Sequence, residues 1–186
     1  MRNIAIIGTG YIGLVTALGL SELGNKVICV DIDEEKIHLL NQGISPIYEE
    51  GISELLERNI KEKRISFTTD FELAVGESEI VFICVNTPSK DDGEVDLSQV
   101  ISSAKSISKF LKNKKIIAIK STIPVGTLVK IREIFNKEGK KEGEDYELAV
   151  VPEFLREGRA VKDFFNPSRI VIGAEKDYVV NNLKEL

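Results

Sequence analysis

Three glycines, Gly8, Gly10 and Gly13, follow the apolar run Ile4 to Ile7 and lead into the apolar-periodic segment Ile12 to Leu23, and this spacing constrains the fold more than any other feature of the chain. In a G-x-G-x-x-G turn the first glycine permits a tight reversal, the second lets backbone approach a ligand closely, and the third lets helix and strand pack together. Fourteen glycines in 186 residues make the spacing alone weak evidence. Its context, directly after a strand and at the mouth of a helix, is what a dinucleotide-binding turn requires.

Short Ile- and Val-rich runs alternate with segments of three-to-four-residue apolar period along the whole chain. The runs are Ile4 to Ile7, Lys26 to Val30, Ile65 to Thr68, Ile80 to Val85, Lys115 to Lys120, Leu148 to Val151 and Ile170 to Ile172. Near-continuous hydrophobicity marks strands covered on both faces, so the expected fold is α/β, a Rossmann-type doubly wound, mainly parallel sheet with helices on both faces. Helices are expected from Ile12 to Leu23, stopped by Gly24, from Glu34 to Asn41 before Gly43, and from Gly51 to Lys61. Leu97, Val100, Ile101, Ala104, Ile107 and Leu111 form an apolar stripe behind Asp96 as N-cap, and Leu128, Ile131, Ile134 and Phe135 form another. Lys176 to Leu186 is helical in pattern but carries no C-cap signal. The expectation is therefore one domain, residues 1–186, separated from a partner domain beyond Leu186.

Twenty-five Lys and Arg against thirty Asp and Glu leave a net charge of −5 with the signs interleaved. That argues against a nucleic-acid or anionic-membrane partner, both of which need a concentrated basic patch. No window reaches 18 apolar residues, and Met1 and Arg2 lead into a strand without a cleavage site, so a soluble, cytoplasmic protein is expected. Cys29 and Cys84 lie inside apolar runs and read as buried thiols, and His38 has no ligand partners at metal spacing. No metal is expected.

The second strand ends in Asp31, eighteen residues after Gly13. A carboxylate there accepts hydrogen bonds from an adenosine ribose and repels a 2′-phosphate, so the expected cofactor is NAD rather than NADP. With the helix N-terminus behind the glycines offering free N–H groups to a pyrophosphate, the ligand lies across the carboxyl ends of the strands. Three loops at those ends should face the crevice: Asn86-Thr87-Pro88, Ser121-Thr122-Ile123-Pro124-Val125-Gly126 and Pro152-Glu153-Phe154-Leu155-Arg156-Glu157-Gly158.

With these loops in order, the sequence closely resembles the nucleotide-sugar dehydrogenases, and specifically the N-terminal, NAD-binding domain of the UDP-glucose 6-dehydrogenases. The motifs are Gly8-Thr9-Gly10-Tyr11-Ile12-Gly13, Val30-Asp31 with Lys36, Phe67-Thr68-Thr69-Asp70, Phe82 to Pro88, Lys120 to Gly126, and Pro152 to Gly158 followed by Pro167-Ser168-Arg169-Ile170. The resemblance implies oxidation of the sugar C6 alcohol of UDP-glucose to a carboxylate with two NAD, through an enzyme-bound thiohemiacetal and thioester, in polysaccharide biosynthesis. It implies catalytic roles for Thr122, Glu153 and Glu157: Thr122 contacts NAD and orders the water, Glu153 serves thioester hydrolysis, and Glu157 lies at the nicotinamide. Gly8, Gly10, Tyr11, Ile12, Gly13, Asp31, Lys36, Thr87, Thr122 and Glu157 would hold NAD. Glu153, Phe154, Leu155, Arg156 and Glu157 would line the sugar side, and the full-length protein would be a homodimer.

From the residues alone, two carboxylates four positions apart in a crevice can take different protonation roles. They can equally be helix-start acids that stabilise a macrodipole, and Thr122 can equally cap a helix beginning near Val125. By the resemblance the nucleophilic cysteine would sit in a Gly-rich segment that nothing here matches, with its partnering lysine and asparagine in a later domain. Cys29 and Cys84 cannot stand in, because they lie in expected strand interiors where a thiolate is disfavoured. The chain is thus expected to bind NAD without completing the oxidation. Asn86 stands where a small residue or proline is usual, and Tyr48-Glu49-Glu50-Gly51 lacks the proline that usually precedes the glycine. GDP-mannose or a UDP-amino sugar as substrate, or a stand-alone NAD-binding module, are the competing readings. A hydroxyacid dehydrogenase would need a His or Lys base at the crevice, and His38 is misplaced for it.

Overall fold

Along β1 (Asn3–Ile7) Ile4 and Ile6 face one layer of helices while Ala5 and Ile7 face the other, and all four are essentially inaccessible. The computed structural model describes residues 1–186. The remaining strands are β2 (Lys26–Val30), β3 (Ile65–Thr68), β4 (Ile80–Ile83), β5 (Lys115–Ile119), β6 (Tyr146–Val150) and the two-residue β7 (Gly173–Ala174). They form one sheet in the order β3-β2-β1-β4-β5-β6-β7, parallel throughout except where β7 runs antiparallel to β6. Reversal of strand order between β1 and β4 opens the crevice in which ligands of such sheets bind.

One face is covered by α1 (Tyr11–Glu22), α2 (Glu34–Asn41), α3 (Ile52–Lys61), α7 (Ala160–Phe165) and α8 (Asp177–Lys184). The other is covered by α4 (Phe71–Glu77), α5 (Ser98–Phe110) and α6 (Thr127–Lys137). Because each face of the sheet is buried separately, the core divides into two clusters, and a one-residue slip of any central strand would exchange them. α1 lies deepest: residues Gly13 to Ser21 are all buried. Its Gly19 makes room for α7, since a Cβ there would fall 2.1 Å from the Phe164 ring.

Six of the seven expected strands and the helices α1, α2, α3, α5, α6 and α8 are present within a few residues of their anticipated ends. Asp96 is not the N-cap of α5: that position is held by Leu97 without a side-chain cap, and Asp96, one residue further out, accepts the Ser98 N–H at 2.8 Å. Two short helices, α4 and α7, were not legible from apolar period, although Asp70 caps α4 by accepting the Leu73 N–H at 3.0 Å. Ile170 to Ile172 is not a strand. Ile170 is 69% exposed, and pairing with β6 begins only at Gly173. No helix is long and apolar enough to cross a membrane.

Candidate cofactor and substrate site

The glycine turn carries two kinds of constraint. Gly8 adopts φ +96°, a left-handed conformation that side chains resist, and a Cβ on Gly13 would fall 1.9 Å from the Gly8 carbonyl oxygen. Both glycines are demanded by the fold. Gly10 is different: its φ of −71° suits any residue, and an added Cβ would meet only Asn86 Oδ1, at an ordinary 3.5 Å. Nothing inside the protein requires glycine there, so the space above Gly10 fits the close approach of a ligand.

The N-terminus of α1 points the same way. α2 and α4 are capped by Asp33 and Asp70, whereas α1 has Gly10 at its N-cap, no side-chain cap and no acid in its first turn. The first backbone bond into the helix is donated by Leu14 to Gly10. The N–H groups of Tyr11, Ile12 and Gly13 are therefore left to an outside acceptor, in the positive end of the helix dipole.

Asp31 follows β2 directly and faces this turn. Its Oδ2 accepts the Thr9 N–H at 2.8 Å, the Thr9 hydroxyl at 2.7 Å and Lys36 Nζ at 3.1 Å, while Oδ1 accepts the Asp33 N–H at 3.2 Å. Burial works to raise its pKa, but the hydrogen bonds from Thr9, Asp33 and Lys36 outweigh it and hold the carboxyl below its usual range. The group is kept ionised as an acceptor. Asp31 and Lys36, placed near the cofactor by sequence, are thus brought into contact by the structure.

The three loops all emerge at the carboxyl ends of their strands. Thr87 is half-buried after β4, and Thr122 is exposed after β5. Thr122 does not cap α6, whose N-cap is Gly126 and whose Thr127 hydroxyl donates to the Pro124 carbonyl at 2.7 Å. Glu153 and Glu157 do not begin a helix either, because α7 starts only at Ala160. Glu153 Oε2 instead accepts the Leu155 N–H at 2.5 Å and shapes its own turn. Phe154 lies 4.3 Å from the Arg169 guanidinium, and Arg156 grips Asp163 through Nε at 2.8 Å and a terminal nitrogen at 2.7 Å. Leu155 packs on the core, and Glu157 is exposed.

A cleft of about 750 Å³ opens beside this loop, lined by Glu153 to Arg156, Lys120, Thr16, and Leu183 and Leu186 at the chain's end. Thr16 Oγ1 is buried there without a partner. Two residues of the site were not anticipated. Lys120, at the end of β5, is mostly buried, and burial draws its pKa down against the opposing pull of Cys84 and Glu153. A lysine closing an otherwise apolar strand run was its signal in the sequence. Glu49, 4% exposed, receives hydrogen bonds from the Tyr11 hydroxyl, the Gly158 N–H and, at 3.0 Å, the Ala160 N–H. No local pattern marks it, because its partners lie up to 111 residues away.

Comparison with known proteins gives this geometry its setting. Residues 2–186 match the family model for the UDP-glucose/GDP-mannose dehydrogenase family, NAD binding domain. The chain belongs to this family. It is 45% identical over 184 residues to the UDP-glucose 6-dehydrogenase YwqF of Bacillus subtilis, aligning 99% of this chain with 42% of that protein. It is likewise 45% identical to the UDP-glucose 6-dehydrogenase TuaD of the same organism, over 40% of that protein's length. A ternary-complex structure of GDP-mannose dehydrogenase from Pseudomonas aeruginosa superposes with a TM-score of 0.95 at 39% identity, over 98% of this chain and 43% of that one. A UDP-glucose dehydrogenase from Pyrobaculum islandicum gives 0.93 at 35%, again over 98% of this chain and 43% of that one. The chain spans about two fifths of the length of the curated relatives it matches.

Within this NAD-binding domain of the family, the glycine turn, the Asp31 carboxylate and the loop from Glu153 to Gly158 are the features gathered at the carboxyl edge of the sheet. Its thiols do not suit a nucleophile's role. Cys84 lies beneath the glycine turn, and burial pushes its thiol up to about 12 against a downward pull from Lys120. Burial pushes Cys29 well up too, with the charges of Cys84 and Asp31 acting in the same direction.

Proposed function

We propose that this chain is the cofactor half of a UDP-glucose 6-dehydrogenase, the enzyme that converts the sugar C6 alcohol of UDP-glucose to UDP-glucuronate with two NAD. In this reading the cysteine-bearing part lies outside residues 1–186, the assembled enzyme is a homodimer, and the chain alone does not complete the oxidation. The observation that carries the reading is 45% identity to two UDP-glucose 6-dehydrogenases over 99% or more of this chain.

When bound, NAD supplies the hydride acceptor. The N–H groups of Tyr11, Ile12 and Gly13, together with Gly8 and Gly10, would hold the pyrophosphate, and Asp31, with Lys36 and Thr87, would hold the ribose. Thr122 contacts the cofactor and orders the water. Glu153 keeps one oxygen on the Leu155 N–H, leaving the other to draw a proton from that water during thioester hydrolysis. Glu157 would serve the nicotinamide end, and Phe154, Leu155 and Arg156 would line the sugar side, with the Arg156–Asp163 fork fixing the loop's shape before substrate arrives.

A chimaera tests this reading. With this chain replacing the aligned residues of YwqF, two NADH are expected for each UDP-glucose consumed. A chimaera that folds and binds NAD yet oxidises no UDP-glucose contradicts it. Preference for GDP-mannose would instead favour the second reading, to which the 0.95 TM-score with a GDP-mannose dehydrogenase points.

A further inference from the structure

Glu49 lies in the connection between α2 and α3, in neither the cofactor turn nor the acid-bearing loop, yet it touches both. It is 4% exposed, and every side-chain partner it has is a donor. Oε1 receives the Tyr11 hydroxyl and the Gly158 N–H, and Oε2 receives the Ala160 N–H at 3.0 Å. Tyr11 is the first residue of α1, so the residue whose N–H faces the pyrophosphate position also reaches, through its side chain, the far end of the loop that carries Glu153 and Glu157. Its hydroxyl lies 3.3 Å from the Arg156 carbonyl oxygen as well.

The loop has two attachments of different kinds. Within itself it is closed by Asp163, which takes the Arg156 fork and, at 3.2 Å, the Arg156 N–H. That closure makes residues 156–163 move as one piece but does not say where the piece lies. Its position relative to α1 is set by packing of Phe164 on Gly19 and by the hydrogen bonds that run through Glu49 and Tyr11. A buried carboxylate that loses its donors is left unsatisfied in a low-dielectric site, so the three bonds through Glu49 hold the turn and the loop together.

We propose that Glu49 is a positioning residue that couples occupancy of the cofactor turn to the placement of the Glu153–Gly158 loop, acting through Tyr11 on one side and the Gly158 and Ala160 amides on the other. The inference rests on the functional reading above, in which that loop serves the sugar. Cofactor bound at the Tyr11 N–H fixes the start of α1, hence the Tyr11 ring and hydroxyl, hence Glu49 and the loop. By linkage, a ligand that orders the loop strengthens cofactor binding by the same factor.

Amide hydrogen exchange of the wild-type chain, Tyr11→Phe and Glu49→Gln, each with and without saturating NAD, reads the coupling. Tyr11→Phe removes one hydroxyl and leaves the α1 amides, and Glu49→Gln presents an NH₂ to one of the three donors, so thermal melts establish that both remain folded. NAD is expected to slow exchange of residues 156–160 in the wild type by roughly tenfold or more, the worth of a charged hydrogen bond, and to lose most of that effect in both variants. The nucleotide-dependent difference is a readout that a merely structural role would not move. Equal NAD-dependent slowing in all three proteins overturns the proposal, as does bound NAD that leaves loop exchange unchanged in the wild type. Absence of NAD binding to the wild type, measured on the same samples, overturns the functional reading together with the coupling.

Discussion

The carbonyl oxygen of Gly8 lies 1.9 Å from the point where residue 13 would carry a Cβ, so these two glycines fit each other and cannot be enlarged independently. Gly10, between them, has 3.5 Å of clearance to its nearest neighbour. Gly13→Ala is therefore expected to destabilise the fold by about 1 to 3 kcal/mol or more through overpacking, seen as a melting temperature several degrees lower. Gly10→Ala should melt like the wild type while binding NAD at least roughly tenfold more weakly, since its Cβ intrudes only on the ligand. Calorimetry and thermal melts on the two variants separate a glycine required by the fold from one required by the cofactor.

Both thiols are buried, and burial raises each of them above the ordinary thiol range. An aromatic disulfide reagent at pH 8 is expected to find no reactive thiol in the native chain and two after denaturation, because burial holds Cys84 up near about 12 and Cys29 well above its ordinary value. Rapid native labelling of either would show that the region under the glycine turn opens.

The Arg156 guanidinium beside Asp163 holds that carboxyl down at about 2, with burial opposing the shift. An unfolded aspartate titrates near about 3.9, so the pair contributes stability above that value and loses it as pH falls from about 4 to 2. Urea midpoints followed from neutral to acid pH should show a decline over this window that is weaker in Asp163→Asn and weaker at high salt. An identical pH slope in the variant would mean that the fork adds nothing to the fold.

The parallel sheet was legible because strands buried on both faces, such as Ile4 to Ile7 and Ile80 to Ile83, are apolar at every position. α2 was legible to the residue from its polar helical run ahead of Gly43, and the structure adds Asp33 as the cap at its start. α4 was not, since its seven residues bury only Ala74 and Val75, too few to set a period. Ile170 to Ile172 misled for the opposite reason: its β-branched composition suits a strand, but no partner reaches it until Gly173, and Ile170 faces solvent. In the candidate site, Asp31 and the glycines could be singled out because their spacing is local. Glu49 was not, because its role exists only once the chain folds residues 49, 11 and 158 together.

Titration of NAD and NADP into the chain and into Asp31→Ala, by calorimetry, bears most directly on the cofactor site. Asp31 is held ionised by Thr9, Asp33 and Lys36, so the wild type is expected to bind NAD clearly more tightly than NADP. Asp31→Ala should cost NAD about 1.5 to 3 kcal/mol, roughly ten- to 150-fold, and bring the two nucleotides close to parity. A folded Asp31→Ala that binds NAD as the wild type does, with its preference over NADP intact, would contradict the assignment of the ribose to this carboxylate.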